Sequence, residues 1–150
     1  MLSLFLAAYA QSADVITEML EAEEATFGQV SYIAAVQMKL INENDSYETA
    51  VQKLYDNQVI PSVEDASAPI PVVDAVYIYS KLWDIKGGLL FRLTKGSPRY
   101  AFKQFKSDGI IDSDLDPAAH ISGAAALSLY TSCVNKYSDF DMRKVSMEDE

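Results

Sequence analysis

From residue 121 to 137 the apolar positions fall at 123, 126, 127, 130, 133, 134 and 137, the three-and-four spacing of a helix with one buried stripe. Residues 70–86 read differently. Val72, Val73, Ala75, Val76, Tyr77, Ile78, Tyr79, Leu82, Trp83 and Ile85 leave little polar surface, which predicts the most buried helix of the chain. So much Val, Ile and Tyr also suits a strand; the length of the run favours a helix. Each of these helices follows a shorter amphipathic one, about Tyr47–Asn57 and Pro98–Ser107, that ends in an apolar pair, Val59-Ile60 or Ile110-Ile111. A polar loop of about nine residues, rich in Pro, Ser and Asp, separates each pair of helices. Ser122 is placed to cap the last helix, Pro71 stands at the same point of the earlier one, and Ser97-Pro98 reads as a cap followed by a first-turn proline.

The two helix pairs are copies. Shifted forward by 51 positions, residues 50–60 and 70–83 meet residues 101–111 and 121–134 without a gap. Ala50/Ala101, Ile60/Ile111, Ile70/Ile121, Ala75/Ala126 and Tyr79/Tyr130 are identical, and Leu54/Phe105, Val59/Ile110, Val73/Ala124, Val76/Leu127, Ile78/Leu129 and Ser80/Thr131 are similar. The matches lie on core positions, as a duplicated helix–loop–helix requires. A degenerate third copy is expected at the front of the chain. There Phe27-Gly28-Gln29-Val30-Ser31-Tyr32-Ile33 resembles the opening of the second helices, and Thr26 and Gln29 have capping-box spacing. The expected architecture is therefore all-α, a bundle of about six helices built from two or three helix–loop–helix repeats. Its units are 13–43, 46–86 and 97–137, within one domain over 11–137. Gly87 and Gly88 end the central helix, Leu89–Thr94 forms a short helix or an extended segment, and the acidic stretch 138–150 reads as a flexible tail.

Met1-Leu-Ser-Leu-Phe-Leu-Ala-Ala-Tyr-Ala10 is a short apolar run closing on small-x-small, and residues 1–10 read as the remnant of a signal peptide without its basic start. That reading predicts a periplasmic or extracellular protein. The competing reading makes residues 2–24 one amphipathic helix with Leu4, Ala7, Ala8, Val15, Met19 and Leu20 inward, and the protein cytoplasmic. Either way the run is too short to span a bilayer.

Composition narrows the chemistry. Of 150 residues, 22 are Asp or Glu and 12 are Lys or Arg, for a net charge of −10. An acidic chain repels phosphate backbones, and Lys81, Lys86, Arg92, Lys95, Arg99, Lys103 and Lys106 are spaced as solvated helix and loop charges, so no nucleic acid is expected. One cysteine, Cys133, excludes an internal disulfide and sits in an apolar stretch where an inert buried thiol is expected; one histidine, His120, leaves no His pair for a metal. Nine tyrosines read mainly as core residues with satisfied hydroxyls, and Glu18, Glu21, Glu23 and Glu24 as a solvated helix face. Carboxylates such as Glu43 and Asp74 are dispersed. No catalytic residue and no cofactor is assigned. The candidate metal ligands are Asp112, Asp114 and Asp116, whose alternation suggests a calcium loop, although Pro117 and Gly123 stand where an EF-hand needs glycine and glutamate.

A helix, an apolar Gly-Ile-Ile, an Asp- and Pro-bearing loop and an Ile-Ser opening a second helix resemble the S-layer homology repeat. Residues Tyr100–Ala126 carry the resemblance best, Ala50–Pro61 with Ile70–Ala75 carry it less well, and with the weak first unit it covers roughly residues 13–137. It implies a compact bundle that anchors exported proteins to cell-wall polysaccharide. The family opens its second helix with Ile-Thr-Arg-Ala-Glu; here Gln29, Val72 and Gly123 stand at the arginine position, and Ser31, Asp74 and Ala125 at the glutamate position. Without those arginines the expected function is a non-enzymatic structural or interaction module of the bacterial cell envelope, docking on a protein partner or assembling with itself. The alternatives are an anchor binding cell-wall glycan and a calcium-binding protein.

Overall fold

The structure is a computed structural model and describes residues 13–83 and 97–148, with the side chains of the last helix described as far as Tyr137. Among these residues there are six helices and no strand: α1 (13–21), α2 (Phe27–Gln37), α3 (Tyr47–Asp56), α4 (Val72–Leu82), α5 (Pro98–Ser107) and α6 (Gly123–Glu148). The fold is an all-α, repeat-like bundle. Residues 1–12, where a signal-peptide remnant is expected, and residues 84–96, with Leu89–Thr94, lie outside the described residues.

The 51-residue echo is visible atom by atom at the helix ends. The Asn57 amide donates to Lys53 O and the Asp108 amide to Gln104 O. The chain then turns through a left-handed residue, Gln58 (φ 59°) or Gly109 (φ 74°), so that Val59 N donates to Leu54 O and Ile110 N to Phe105 O, both at 2.9 Å. This is the hydrogen-bonded stop that glycine favours because it has no Cβ. Gln58 adopts it at a cost. Burial follows the same echo, since Ala50 and Ala101, Leu54 and Phe105, and Ala75 and Ala126 are all without solvent exposure.

The helix starts form a closed ring. An α-helix leaves its first amides without partners, and here each start hands one to the next loop. Phe27 N donates to Ala68 O (3.0 Å), Val72 N to Ala119 O (2.8 Å) and Gly123 N to Ala22 O (3.0 Å). Extended residues just before the helices reinforce it, with Ile70 N donating to Ala25 O (2.9 Å) and Ala25 N to Ile121 O (2.7 Å). The equivalent caps are Thr26, Pro71 and Ser122. Thr26 forms the expected capping box with Gln29, and Ser122 Oγ accepts from Ala125 N at 3.1 Å. These caps shift the first copy by two residues. Phe27, not Gln29, stands level with Val72 and Gly123, and Gln29, not Ser31, with Asp74 and Ala125.

Two expectations about length are corrected. The central helix occupies Val72–Leu82, opened by Pro71 in an extended conformation (φ −62°, ψ 145°). The last helix continues to Glu148, through the region expected to be a loose tail. No Gly or Pro interrupts residues 124–148, and extending an existing helix is far easier than nucleating one. Ser97 stands at the α5 cap position ahead of Pro98 as expected, but its hydroxyl makes no capping bond.

An aromatic file joins α4, α5 and α6. Tyr79 and Tyr130, repeat equivalents, meet at 5.7 Å between ring centres; Trp83 then touches Tyr130 (5.8 Å) and Tyr137 (6.1 Å), and Tyr137 touches Phe105 (6.1 Å). The Tyr79 hydroxyl donates to Ala126 O at 3.3 Å, which satisfies it in the core. On α2 the Ser31 hydroxyl is fully buried and has no hydrogen-bond partner among the described residues. Ser31→Ala is therefore expected to stabilise the fold by about 1 kcal/mol, through removal of an unsatisfied group and gain of helix propensity. Chemical denaturation would check this, and a loss of stability would mean the hydroxyl is satisfied.

Candidate functional site

The most chemically distinctive concavity lies where α1, α2 and α3 meet. Its floor is built from Val15, Tyr32 and Tyr47, with the two rings edge to face at 5.8 Å. Local folding fixes each part. The Ser46 hydroxyl caps α3 by accepting from Thr49 N, which sets Tyr47 at the first helical position. Tyr32 projects from α2 and donates to Glu43 O at 2.7 Å, pinning the loop between α2 and α3. Tyr47 donates to Glu18 Oε2 at 3.1 Å, while Gln29 Nε2 donates to Glu18 Oε1 at 3.3 Å, tying α1 to both neighbours.

Around this floor stand Asp14, Glu18, Glu43, Asp45 and Glu48, in an open groove of about 390 Å³ with no lysine or arginine among the described residues that line it. Part of that charge has a structural use: Glu48 sits in the first turn of α3, where a helix favours anions, and Asp45 Oδ2 accepts from Asn42 N. The negative field still reaches the floor. Burial first, then Glu43 and Asp45, raise the Tyr32 hydroxyl above the ordinary phenol value; burial and Glu18 do the same to Tyr47. Both phenols therefore stay protonated, as hydrogen-bond donors, at neutral pH. No motif marks this groove in the sequence, because its residues are scattered from 14 to 48. Only the excess of acidic residues in that half of the chain hints at it.

A second hollow, of about 530 Å³, is lined by Tyr55, Asp56, Gln58, Ile60, Pro61 and Tyr77. It adjoins a small cavity of about 60 Å³ beside Asp74 and Glu64. Burial, then the charge of Glu64, raises the Asp74 carboxyl above its ordinary value.

The calcium-loop residues are not assembled into a site. Asp112, Asp114 and Asp116 are all exposed, Asp116 Oδ1 accepts from Ala118 N (2.9 Å), and Lys106 Nζ donates to Ser113 O (2.8 Å), placing a fixed cation within the loop. Among the described residues no three Asp, Glu, His or Cys side chains are grouped to hold a metal. Millimolar calcium is accordingly expected to leave the melting temperature unchanged; a calcium-dependent rise would reinstate the loop as a ligand set.

His120 Nδ1 lies 3.2 Å from Glu24 Oε1 at the surface, 45% and 54% exposed respectively, so the histidine is a surface pairing residue. Cys133 is buried as expected, and desolvation pushes its thiol up to about 12. Burial likewise raises Tyr79, Tyr130 and Tyr137. The unfolded chain releases these protons at ordinary values, near 9.0 for the thiol and 10.0 for the phenols, before the folded chain does. Stability is thus intact below about pH 9 and lost progressively above it. The melting temperature is expected to be flat from neutrality to that point and then to fall steeply; a rise in the alkaline range would contradict the burial of these groups.

Of the basic residues gathered between 81 and 106, Lys81, Arg99, Lys103 and Lys106 are described. Lys81 lies 5.0 Å from the Tyr77 ring centre, Lys103 5.5 Å from that of Tyr100 and Lys106 4.7 Å from that of Phe102, each folded over its own helix. No helix among the described residues is long and apolar enough to cross a membrane. Comparison with protein-family models, curated proteins and solved structures finds no match to this chain.

Proposed function

We propose that the protein is a non-enzymatic interaction module of the bacterial cell envelope that docks on a protein partner. The observation that carries this reading is the open groove beside Tyr47, whose five carboxylates, Asp14, Glu18, Glu43, Asp45 and Glu48, offer a partner a charged surface. The residue types that most often perform chemistry have structural uses here: the thiol is buried, the imidazole pairs with Glu24, and Tyr79 is fully buried in the core. The resemblance to S-layer homology repeats supports the envelope assignment, and the ring of helix starts suits a three-unit bundle of that kind.

A protein partner is favoured over an anionic glycan. The positions where that family carries its arginine are Phe27, Val72 and Gly123 once the caps are aligned, and a side chain at Gly123 would collide with the backbone of Met19. The hollow between Tyr55, Gln58 and Tyr77 supports the alternative of a glycan ligand, since two aromatic rings and an amide are what a sugar face needs.

Co-sedimentation of the full chain with envelopes of the source cell tests both readings. Sedimentation that is lost after protease treatment of the envelopes is expected. Sedimentation that survives protease but is lost on removal of wall polysaccharide would favour the glycan. No sedimentation with either would remove the envelope role.

A further inference from the structure

We propose that the small cavity between the start of α4 and the α3–α4 loop is an anchor site for a lysine of a partner protein, which lays its methylene stem against Ile60 and Pro61 and brings its ammonium group to Asp74 and Glu64. The inference deepens the interaction-module reading and rests on it. The cavity, of about 60 Å³, is walled mainly by apolar groups, among them the buried Ile60 and Ile78 with Phe27 and Pro98. Asp74, in the first turn of α4, lines this apolar space together with Glu64. Burial, then the Glu64 charge, raises the Asp74 carboxyl above its ordinary value, and among the described residues nothing donates a hydrogen bond to it. Glu64 is fixed on the loop by the Ser62 hydroxyl, which donates to its Oε1 at 2.6 Å. No basic residue is among the described residues that line the cavity; Lys81, about two turns further along α4, lies over the Tyr77 ring. Two carboxyl groups thus share one apolar space without a counter-charge, which is costly until a cation enters.

Size and surroundings identify the occupant. A cavity of about 150 Å³ is what accepts a benzene ring. The space here is less than half of that, so it admits a chain end but neither an aromatic ring nor a sugar ring. Lysine has that shape, a flexible apolar stem ending in a compact charge, and it buries the stem along apolar surface. The rim asks for more than a free amine. Val63, between Ser62 and Glu64, is 51% exposed, and Tyr55, in the adjoining hollow that shares Ile60 and Pro61 with the cavity, is 44% exposed. Large apolar groups left open beside a polar centre mark a contact surface, which residues flanking the lysine would cover. A second copy of this chain is a poor source of that lysine, because each copy carries a net charge of −10 and self-association brings like charges together.

The test titrates the isotope-labelled full chain with the peptide acetyl-Leu-Ala-Lys-Ala-Leu-amide at low salt and follows amide chemical shifts. Binding is expected, with shifts centred on Glu64, Asp74 and Tyr77. The analogue with norleucine in place of lysine keeps the stem without the charge and should bind at least about tenfold more weakly. Asp74→Asn should cost the peptide at least about tenfold in affinity. Glu64→Gln, a change at an exposed loop residue that can keep the bond to Ser62, should weaken binding in the same direction and keeps the proposal testable if Asp74→Asn does not fold. Asp112→Asn removes a charge elsewhere and should change affinity by less than about twofold. Equal binding of the lysine and norleucine peptides, or equal weakening by Asp112→Asn and Asp74→Asn, would overturn the proposal. So would the absence of shifts at these residues at millimolar peptide. Soluble wall polysaccharide shifting the same amides where the peptide does not would give the site to a glycan. Envelope sedimentation equal for the parent and Asp74→Asn would remove the anchor assignment alone and leave the module reading standing. Lysine-selective binding without any sedimentation would remove the envelope role and leave the anchor site.

Discussion

Gly123→Ala is expected to cost about 3 kcal/mol, as an overpacked site does, and to lower the melting temperature by roughly 10 °C. A Cβ at this position would overlap the carbonyl group of Met19, and the obstacle is main chain that no rotamer change moves aside. Gly123 is also where Gly123 N donates to Ala22 O, so the added methyl group pushes α6 away from the contact that closes the ring of helix starts. Gly28→Ala meets Ala66 O and the Tyr47 Cβ at 2.7 Å, a milder conflict. Thermal melting monitored by circular dichroism orders the two. A Gly123→Ala protein as stable as the parent would mean that α1 does not end against α6.

Tyr79→Ala is expected to cost about 3–5 kcal/mol, the range for deleting a buried aromatic ring. Tyr79 is fully buried and meets Tyr130, the first contact in the file that runs through Trp83 and Tyr137 to Phe105. Tyr79→Phe keeps the ring and gives up only the bond to Ala126 O, for about 1 kcal/mol. The difference between the two variants separates packing from hydrogen bonding. Trp83 adds an optical reading, because its environment is set by Tyr130 and Tyr137. Denaturant titration followed by tryptophan fluorescence should show a lower midpoint for the alanine variant with the slope retained. Equal losses for both variants would assign the stability to the hydroxyl.

The repeat architecture was legible because duplication preserves what packing constrains. Leu54 and Phe105, or Ala75 and Ala126, are inside in both copies, and the α5 boundaries Pro98–Ser107 follow from a proline start and an apolar face. The first copy was harder to place. Thr26 is legible as a cap, yet apolar resemblance alone misplaces the first copy by two residues, and the hydrogen bonds among Ala25, Ile70 and Ile121 fix its register. The extent of the last helix is not legible from periodicity, which fades after Tyr137, although nothing in residues 124–148 breaks a helix. The Asp112–Asp116 alternation is legible in the sequence, whereas the bond from Lys106 to Ser113 O inside that loop is a contact that spacing does not show. The groove left no motif because its carboxylates converge through three elements and no fixed spacing.

The ring of helix starts distinguishes this bundle from an open stack of repeats. In an open array a unit at the end can be added or removed, and its neighbours lose one interface at most. Here the first amide of each unit's second helix is satisfied by the next unit, and the third returns to the first. Excising any member would strand a donor in one neighbour and an acceptor in another. The number of units is thereby fixed by geometry, each unit open to change on its outer face but held to its partners at the hub.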